Sequence, residues 1–458
     1  MKRTMVVLFV GTVLLMASLT GCSVFSPGSA SPDTGDTSPT NLIPPPEVQW
    51  AHAFGGTQSD QFDAVAVTAD SDFIGVGYTT SGDGDLADTH DTYSSGAMDA
   101  VVACVTADGT LRWAHTFGGT GDDRFMAVAI APDGNIVVAG YTDSVDGDFP
   151  MKSPTAPDGS LDSSDAVVAE ISPEGSLEWA TTIGGSGQDS FGSVAVGADG
   201  TIFAGGTTTV TDGDFTGEAT RGAVLAEITQ SGRVQWAKVF GGGYGTFDAV
   251  ALRADGTVIA AGFTAERIGT PQDGWVMALT EDADTTWTRT YGGSGPDEFS
   301  ALALAPDGSM VVTGRTFSTD GDFPSDPHIP YGSAVVADIT DDGSISWTHV
   351  VGTGDATDYR AAAVSSDGNI VVSGSLFPKG SHHPNQALLA EYTASGTFLW
   401  SKTLVGSSNI IFNGVATTCD GAIVAVGITM SSQGDIVSTH GAQTDAAIAE
   451  LVFPDAQL

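Results

Sequence analysis

Apolar and polar residues recur along most of the chain in short runs that are separated by turn-forming residues. Runs such as "NIVVAGYT" (135–142) and "DAVVAEI" (165–171) are almost continuous in Val, Ala and Ile, as expected for β-strands that are covered on both faces. Many runs are joined by Asp-Gly or Pro-Asp-Gly, which favour tight β-hairpin turns. The pattern predicts an all-β protein.

The runs belong to a repeated unit that is marked by tryptophan. Seven tryptophans divide the chain into units with a mean period of about 58 residues, and an aromatic residue follows each tryptophan after 12 residues, or 11 in the fourth unit. Ala, Asp and Gly recur 4, 8 and 15 residues after that aromatic residue in all seven units. The seven pairs are Trp50 and Phe62, Trp113 and Phe125, Trp179 and Phe191, Trp236 and Phe247, Trp287 and Phe299, Trp347 and Tyr359, and Trp400 and Phe412.

Each unit contains four strands, A to D, and four-stranded units at this period predict a β-propeller. The chain begins with a lone D strand around Trp50 and ends with A, B and C strands, "NGVATT" (413–418), "AIVAVGI" (422–428) and "DAAIAEL" (445–451). We therefore predict a seven-bladed β-propeller of four-stranded blades, in which the N-terminal strand completes the last blade and removes exposed edges. The recurring alanine fits the innermost strand, and the recurring glycine indicates close backbone approach.

One stretch of the repeat resembles a known class of repeats. "DAVVAEISPEGSLEWATTIGGSGQDSFGSVAVGADGTIFAGGTT" (165–208) is similar to the seven-bladed β-propeller repeats of bacterial surface and secreted proteins, and the similarity extends over about residues 48–453. The resemblance implies the propeller fold. It implies almost nothing about function, because a fold does not determine the site that it carries.

The N-terminus has the pattern of a bacterial secretion signal. Lys2 and Arg3 precede an apolar run from Met5 to Ala17, which is too short to span a membrane, and "LTGC" (19–22) follows. This ending resembles the lipobox of bacterial lipoproteins, which implies that Cys22 is lipidated, with acyl chains such as palmitate, and becomes the mature N-terminus. The alternative is an ordinary cleaved signal in which Cys22 has no role.

These features predict four regions along the chain. They are a lipoprotein signal peptide (1–21), the lipidated Cys22 with a flexible tether rich in Pro, Ser and Thr (22–46), the propeller (47–453) and a short tail (454–458). We expect a monomer that is anchored to a cell membrane by lipid and faces away from the cytoplasm. The sequence does not distinguish an inner membrane, an outer membrane or a Gram-positive surface.

The chain is strongly acidic, with 56 Asp and Glu against 15 Lys and Arg and a net charge of −41. This balance argues against nucleic acid as a partner, because binding to phosphates needs clustered basic residues. The membrane is therefore expected as a partner only through the lipid anchor. An extracellular protein or glycan is the expected binding partner.

Length variation is confined to the link from strand B to strand C, which spans 11 to 25 residues when counted from the recurring glycine to the start of strand C. Because strands alternate in direction, these loops share one face of the propeller with the links from strand D to the next strand A. Variable loops on a rigid scaffold commonly carry binding sites. We therefore predict a binding face here, with a rim of acidic residues from the links, namely Asp60, Asp122, Asp123 and Asp189.

Several B–C loops begin with a recurring acidic motif, as in "YTDSVDGDF" (141–149) and "STDGDF" (318–323). Calcium takes six to eight oxygen ligands, often from aspartates, so the motif is a candidate calcium site. The alternative is a turn, because Asp and Gly both favour turn conformations. The candidate ligands are Asp83, Asp85, Asp146, Asp148, Asp212, Asp214, Asp320 and Asp322.

Two further classes of function remain open, an enzyme and a scaffold. "AEISPEGSLEW" (169–179) has the Ala, Gly and Trp spacing of quinoprotein-type propeller repeats, so an oxidoreductase of that type, or an enzyme that acts on extracellular glycans, is an alternative to a binding module. No catalytic residue is predicted for either reaction. The other alternative is a scaffold for assembly of the cell envelope.

Overall fold

The computed structural model describes residues 42–87, 97–149, 163–217, 219–241, 243–266, 269–305, 308–323, 332–352, 355–378, 384–438, 440 and 443–454. The predicted signal peptide, Cys22 and most of the tether lie outside these residues. The described part of the chain forms 28 β-strands. None of its segments is a helix of the length and apolar character that a membrane span requires.

The strands form seven antiparallel sheets of four strands each, arranged as blades in a ring, so the predicted fold is confirmed. Blade 1 contains β2 (Asp60–Val67), β3 (Phe73–Thr79), β4 (Asp99–Val105) and β5 (Leu111–Phe117). Blade 2 contains β6 (Asp123–Ile130), β7 (Ile136–Thr142), β8 (Asp165–Ile171) and β9 (Leu177–Ile183). Blade 3 contains β10 (Asp189–Val196), β11 (Ile202–Thr208), β12 (Gly222–Ile228) and β13 (Val234–Phe240).

The remaining blades repeat this order of strands A to D. Blade 4 contains β14 (Tyr244–Leu252), β15 (Val258–Ala265), β16 (Asp273–Leu279) and β17 (Thr285–Tyr291). Blade 5 contains β18 (Asp297–Leu304), β19 (Met310–Thr316), β20 (Ser333–Ile339) and β21 (Ile345–Val351), and blade 6 contains β22 (Ala356–Val364), β23 (Ile370–Phe377), β24 (Gln386–Tyr392) and β25 (Phe398–Leu404). Blade 7 combines β26 (Ile410–Thr417), β27 (Ile423–Thr429) and β28 (Asp445–Val452) with the first strand, β1 (Glu47–Phe54).

The ring is closed by the pairing of β1 with β28, as the sequence predicts. The two strands are antiparallel and in register from Glu47 opposite Val452 to Phe54 opposite Ala446. The indole N–H of Trp50 also donates a hydrogen bond to the backbone oxygen of Ala107, in the C–D turn of blade 1, at 3.1 Å. The first strand therefore completes one blade and holds the next.

The repeated tryptophans link neighbouring blades. The indole N–H groups of Trp179 and Trp347 donate to the backbone oxygens of Gln230 and Ala394, each in the C–D turn of the following blade, at 3.1 Å. Trp400 precedes blade 7, whose C and D strands come from opposite ends of the chain. It is fully buried and donates instead to the carboxylate of Glu391 in its own blade.

Apolar side chains fill the spaces between neighbouring blades, so each interface has its own core. At the closing interface, Phe54 and Val426 of blade 7 pack with Phe62 and Phe73 of blade 1. Trp275 is buried in the core between blades 3 and 4, where its ring stacks on Phe247 at a centroid distance of 4.8 Å. Burial of apolar area at every interface favours the closed ring.

A β-bulge interrupts every A strand directly after the repeated aromatic residue, as between Phe62 and Ala64. The recurring glycine lies opposite that aromatic residue on strand B, as Gly77 does for Phe62. A Cβ atom on this glycine would lie only 1.8–2.1 Å from a backbone oxygen of strand A in all seven blades. The predicted close approach of the backbones is confirmed, and it occurs where the bulge needs the space.

Candidate functional site on the loop-bearing face

The B–C loops and the D–A links lie on the same face of the propeller, which we call the loop-bearing face. In blade 1, the Asp83 carboxylate accepts hydrogen bonds from the backbone N–H of Thr57 at 2.7 Å and from its hydroxyl at 3.1 Å. Thr57 belongs to the link that enters the blade, and Asp83 belongs to the B–C loop of the same blade. The motif therefore joins the two segments.

The same contact recurs in other blades that carry the motif. Its first aspartate is exposed in each case, yet its carboxylate accepts the backbone N–H of a Thr or Ser in the link. The next residue is a glycine in the left-handed region, such as Gly147 with φ of 82°, which a residue with a side chain disfavours. The equivalent pairs are Asp146 with Thr120, Asp212 with Ser186 and Asp320 with Ser294.

The second aspartate of the motif binds the beginning of the link. The backbone N–H of Asp85 donates to the oxygen of Gly55 at 2.8 Å, and the Asp322 carboxylate accepts the N–H of Gly292 at 3.0 Å. The N–H groups of Gly118 and Gly184 bind Asp148 and Asp214 in the same way. The apolar residue that ends the motif is buried beneath it, and these residues are Leu86, Phe149, Phe215 and Phe323.

The geometry of the motif matches the predicted turn. Its backbone and carboxylate groups satisfy the polar groups of the adjoining link, which would otherwise lose hydrogen bonds on burial. Within the described residues, no three or more acidic, His or Cys side chains are grouped as the ligands of a metal ion would be. Calcium binding by the eight aspartates stays a prediction.

Three of the four aspartates expected on an acidic rim are buried beneath the loop-bearing face. Asp60, Asp123 and Asp189 are fully buried, because each is the first residue of an inner strand and lies beneath the glycine-rich link that precedes it, whose N–H groups donate hydrogen bonds to the carboxylates. The exposed rim expected from the sequence does not include them. Asp122 is half-buried and accepts the backbone N–H of Met98 at 2.9 Å.

The buried carboxylates are held by hydrogen bonds from the loops above them. The Asp123 carboxylate accepts the N–H of Gly119 at 2.9 Å and the hydroxyl of Ser144 at 2.6 Å. Burial nevertheless disfavours its charged form and raises its pKa to about 7. Burial likewise raises the pKa of Asp60 to about 6 and that of Asp189 to about 7.

A second aspartate, from strand C of the preceding blade, approaches each buried one. A Cβ atom on Gly118 would lie 2.4 Å from an oxygen of Asp123 and 2.8 Å from an oxygen of Asp99, so both carboxyl groups converge on this glycine. Like charges at such sites favour the protonated form of one partner. The equivalent pairs at other interfaces are Asp60 with Asp445, Asp189 with Asp165, and Asp297 with Asp273.

The loop-bearing face also exposes large apolar side chains. Val145, Val405, Tyr244 and Val437 are 58%, 44%, 41% and 40% exposed, and each lies in a B–C loop or at a D–A link. Within the described residues, the other large apolar side chains that are exposed are Leu42, Ile43 and Phe453, which lie at the two ends of the described part of the chain. The face therefore combines exposed carboxylates with apolar contact points.

The central channel contains residues that sequence reasoning missed. It contains an open cavity of about 210 Å³, and the extra residue of each β-bulge lines this cavity. Bulges commonly redirect a side chain in this way. The one sequence signal was position, because each of these residues directly follows the repeated aromatic residue. They are Asp63, Met126, Gly192, Asp248, Ser300, Arg360 and Asn413, which we call the bulge ring.

Comparison by sequence with protein families and with characterised proteins finds no match. Among solved structures, the chain is similar to the Pan2 WD40 domain of Neurospora crassa, with 8% identity, a TM-score of 0.47 and coverage of 85% of this chain and 89% of that one. It is also similar to BamB from Moraxella catarrhalis (12% identity, TM-score 0.40, coverage 87% and 100%). Sqt1 from Chaetomium thermophilum gives 10% identity, a TM-score of 0.45 and coverage of 88% and 98%. No function is inferred from these similarities.

Proposed function

We propose that the protein is a lipid-anchored, non-catalytic binding module that holds an extracellular protein or glycan on its loop-bearing face. One observation carries the proposal, namely that loop-length variation and exposed apolar side chains coincide on this face, whereas the opposite face has short turns. Aromatic and apolar side chains within a polar surround are typical of binding surfaces.

The hydrogen bonds by which the acidic motif fixes each B–C loop to the adjoining link support a binding role for the loop-bearing face. A binding surface made of loops needs a rigid base, since ordering flexible loops on binding costs free energy. Here the base of several B–C loops is fixed to the adjoining link by carboxylate and backbone hydrogen bonds. The loops therefore begin from defined positions while their distal parts vary in length.

Photo-crosslinking from defined positions tests the proposed binding face. We expect p-benzoylphenylalanine in place of Val145 or Val437 to crosslink the intact protein to a discrete extracellular partner. The same group in place of Asp70 or Glu174, which are exposed in turns of the opposite face, is expected to give no such product. The measurement is the mass and identity of the crosslinked species.

Equal crosslinking from the two faces, or none from either, would contradict the assignment. Turnover of a polysaccharide or a quinone-linked dye by the purified protein would favour one of the enzymatic alternatives.

Repeating the capture with chelator and then with calcium tests the predicted metal role. Calcium-dependent capture that is lost in Asp146→Asn would assign calcium to the motif. Capture that is the same with and without calcium would mean that the motif only fixes the loop to the link.

Substitution of Cys22 tests the lipid anchor. We expect the full chain to incorporate an alkyne-labelled palmitate and to sediment with membranes, and we expect Cys22→Ser to lose the label and to appear in the soluble fraction. Stable anchoring needs more than one acyl chain, and the predicted attachment site for these chains is Cys22, so the substitution is expected to remove the whole anchor. Cys419→Ser, at the exposed turn between β26 and β27, is the matched control.

A further inference from the structure

The seven residues of the bulge ring differ in chemistry from blade to blade, whereas the residues directly before and after them in the sequence are similar in every blade. The repeated aromatic residue precedes each ring position, and small or aliphatic residues follow it, so packing accounts for both. The ring positions themselves hold acidic, basic, amide, hydroxyl, thioether and glycine residues. Convergent side chains of differing chemistry in a small cavity are typical of a ligand site.

Most charges around the ring are already paired. Arg124 binds Asp63 through two hydrogen bonds, at 2.6 and 2.7 Å. Arg360 binds the Asp358 carboxylate at 3.1 Å and the amide oxygen of Asn413 at 2.9 Å. These pairs neutralise one side of the channel.

Asp248 is the exception. Its carboxylate accepts a hydrogen bond from the hydroxyl of Thr246 at 3.1 Å, and no basic side chain in the described part of the chain forms an ion pair with it. Burial, and to a lesser extent the negative charge of Glu298, raise the pKa of Asp248, and Glu298 is itself bound to Arg315 at 2.8 Å. A partly buried carboxylate without a basic partner gains from a positively charged ligand.

Space for such a partner exists beside Asp248. The adjacent ring position in blade 3 is Gly192, and a Cβ atom there would lie 3.9 Å from both the Cα and a carboxylate oxygen of Asp248. The adjacent position in blade 5 is Ser300, which adds a hydroxyl group to the cavity. Val194 and Ala249 give the same cavity an apolar wall.

The geometry points to a binding site for a small primary amine in the central channel, with the ammonium group on Asp248 and a short alkyl chain against the apolar wall. The site is distinct from the loop-bearing face, and its occupancy does not depend on the function proposed above. An ammonium group offers three N–H donors, which suit the Asp248 carboxylate and the Ser300 hydroxyl.

The test uses n-butylamine as the probe and n-butanol as a neutral analogue of similar size. We expect ligand-detected saturation-transfer NMR and calorimetry at pH 8 to show binding of the amine to the full-length protein, with affinity at least about tenfold above that of the alcohol. Asp248→Asn is expected to remove this preference. Gly192→Met is expected to block both ligands while the carboxylate remains.

Two variants serve as controls. Met126→Leu changes the ring two blades away, and Asp255→Asn removes a charge from an exposed turn of blade 4, so both are expected to bind n-butylamine as the parent protein does. Thermal unfolding of each variant establishes that it is folded. Equal binding of amine and alcohol, no binding of the amine, or unchanged binding in folded Asp248→Asn would overturn the proposal.

Discussion

Deletion of residues 1–54 is expected to abolish cooperative folding of the propeller. The deletion removes β1, so blade 7 keeps three strands and β28 becomes an open edge. We expect the free energy of unfolding to fall by more than about 5 kcal/mol, which is comparable to the whole stability of many domains. Urea unfolding followed by tryptophan fluorescence measures the change.

The expected loss is large because β1 contributes to two blades. Its backbone forms the outer ladder of blade 7, and its Phe54 packs with Phe62 in the core between blades 7 and 1. Trp50 additionally binds the C–D turn of blade 1. Loss of the strand therefore removes hydrogen bonds, buried apolar area and the contact between the two ends of the chain at once.

A chain that lacks only residues 1–41 is the matched control, and it is expected to unfold at the same urea concentration as the full chain. A peptide of residues 44–56, added in excess, is expected to restore part of the stability of the longer deletion by pairing with β28. Self-association of the longer deletion would follow from the same open edge. An unchanged midpoint in the monomeric longer deletion would show that β1 is dispensable.

The fold was predictable from the sequence because its signals repeat. A single Asp-Gly turn means little, but Asp recurs at the same position of all seven A–B turns, with Gly after it in six, and this constant spacing defines a blade. The lone Trp50 strand at one end and three strands at the other predict the closure directly. The strand pattern, the turn residues and the repeat spacing all predict the same fold, which is why the predicted order of strands agrees with the observed order.

The position of individual carboxylates was less predictable. Asp60 and Asp83 both belong to acidic, glycine-rich segments, yet the first is fully buried and the second is exposed. The difference arises because the D–A link and the B–C loop fold over the start of strand A and bind the Asp60 carboxylate, a tertiary arrangement that local sequence does not encode. The position of Asp248 in the central channel likewise depends on a β-bulge. Gly262 makes room for this bulge, but a glycine at that position does not by itself predict one.

The stability of the propeller is expected to fall as pH rises from about 4 to 8. A carboxyl group whose pKa is higher in the folded state binds more protons when folded, so acid favours folding. The contribution is complete below the unfolded value, 3.8 for Asp123, and it is lost as pH rises through the folded value of about 7. Asp60 and Asp189, with pKa values raised to about 6 and 7, act in the same direction.

The effect is expected to be substantial, since a pKa difference of one unit corresponds to about 1.4 kcal/mol. Asp123 alone could lower the free energy of unfolding by up to roughly 4 kcal/mol between these pH values. Asp123→Asn resembles the protonated acid, because the amide can still accept from Gly119 and Ser144. We therefore expect this variant to show a shallower pH dependence and to be more stable than the parent at pH 8.

Asp108→Asn is the control that distinguishes an effect of the buried Asp123 carboxyl group from a general effect of net charge. Asp108 is exposed, and hydrogen bonds from Thr106 and Thr110 lower its pKa, so its removal should leave the decline from pH 5 to 8 unchanged. Both substitutions remove one charge from a strongly acidic chain, so general repulsion would affect them alike. Unfolding midpoints in urea at half-unit steps of pH distinguish the cases. Parallel curves for the parent and Asp123→Asn would mean that the buried pair of Asp99 and Asp123 does not govern stability.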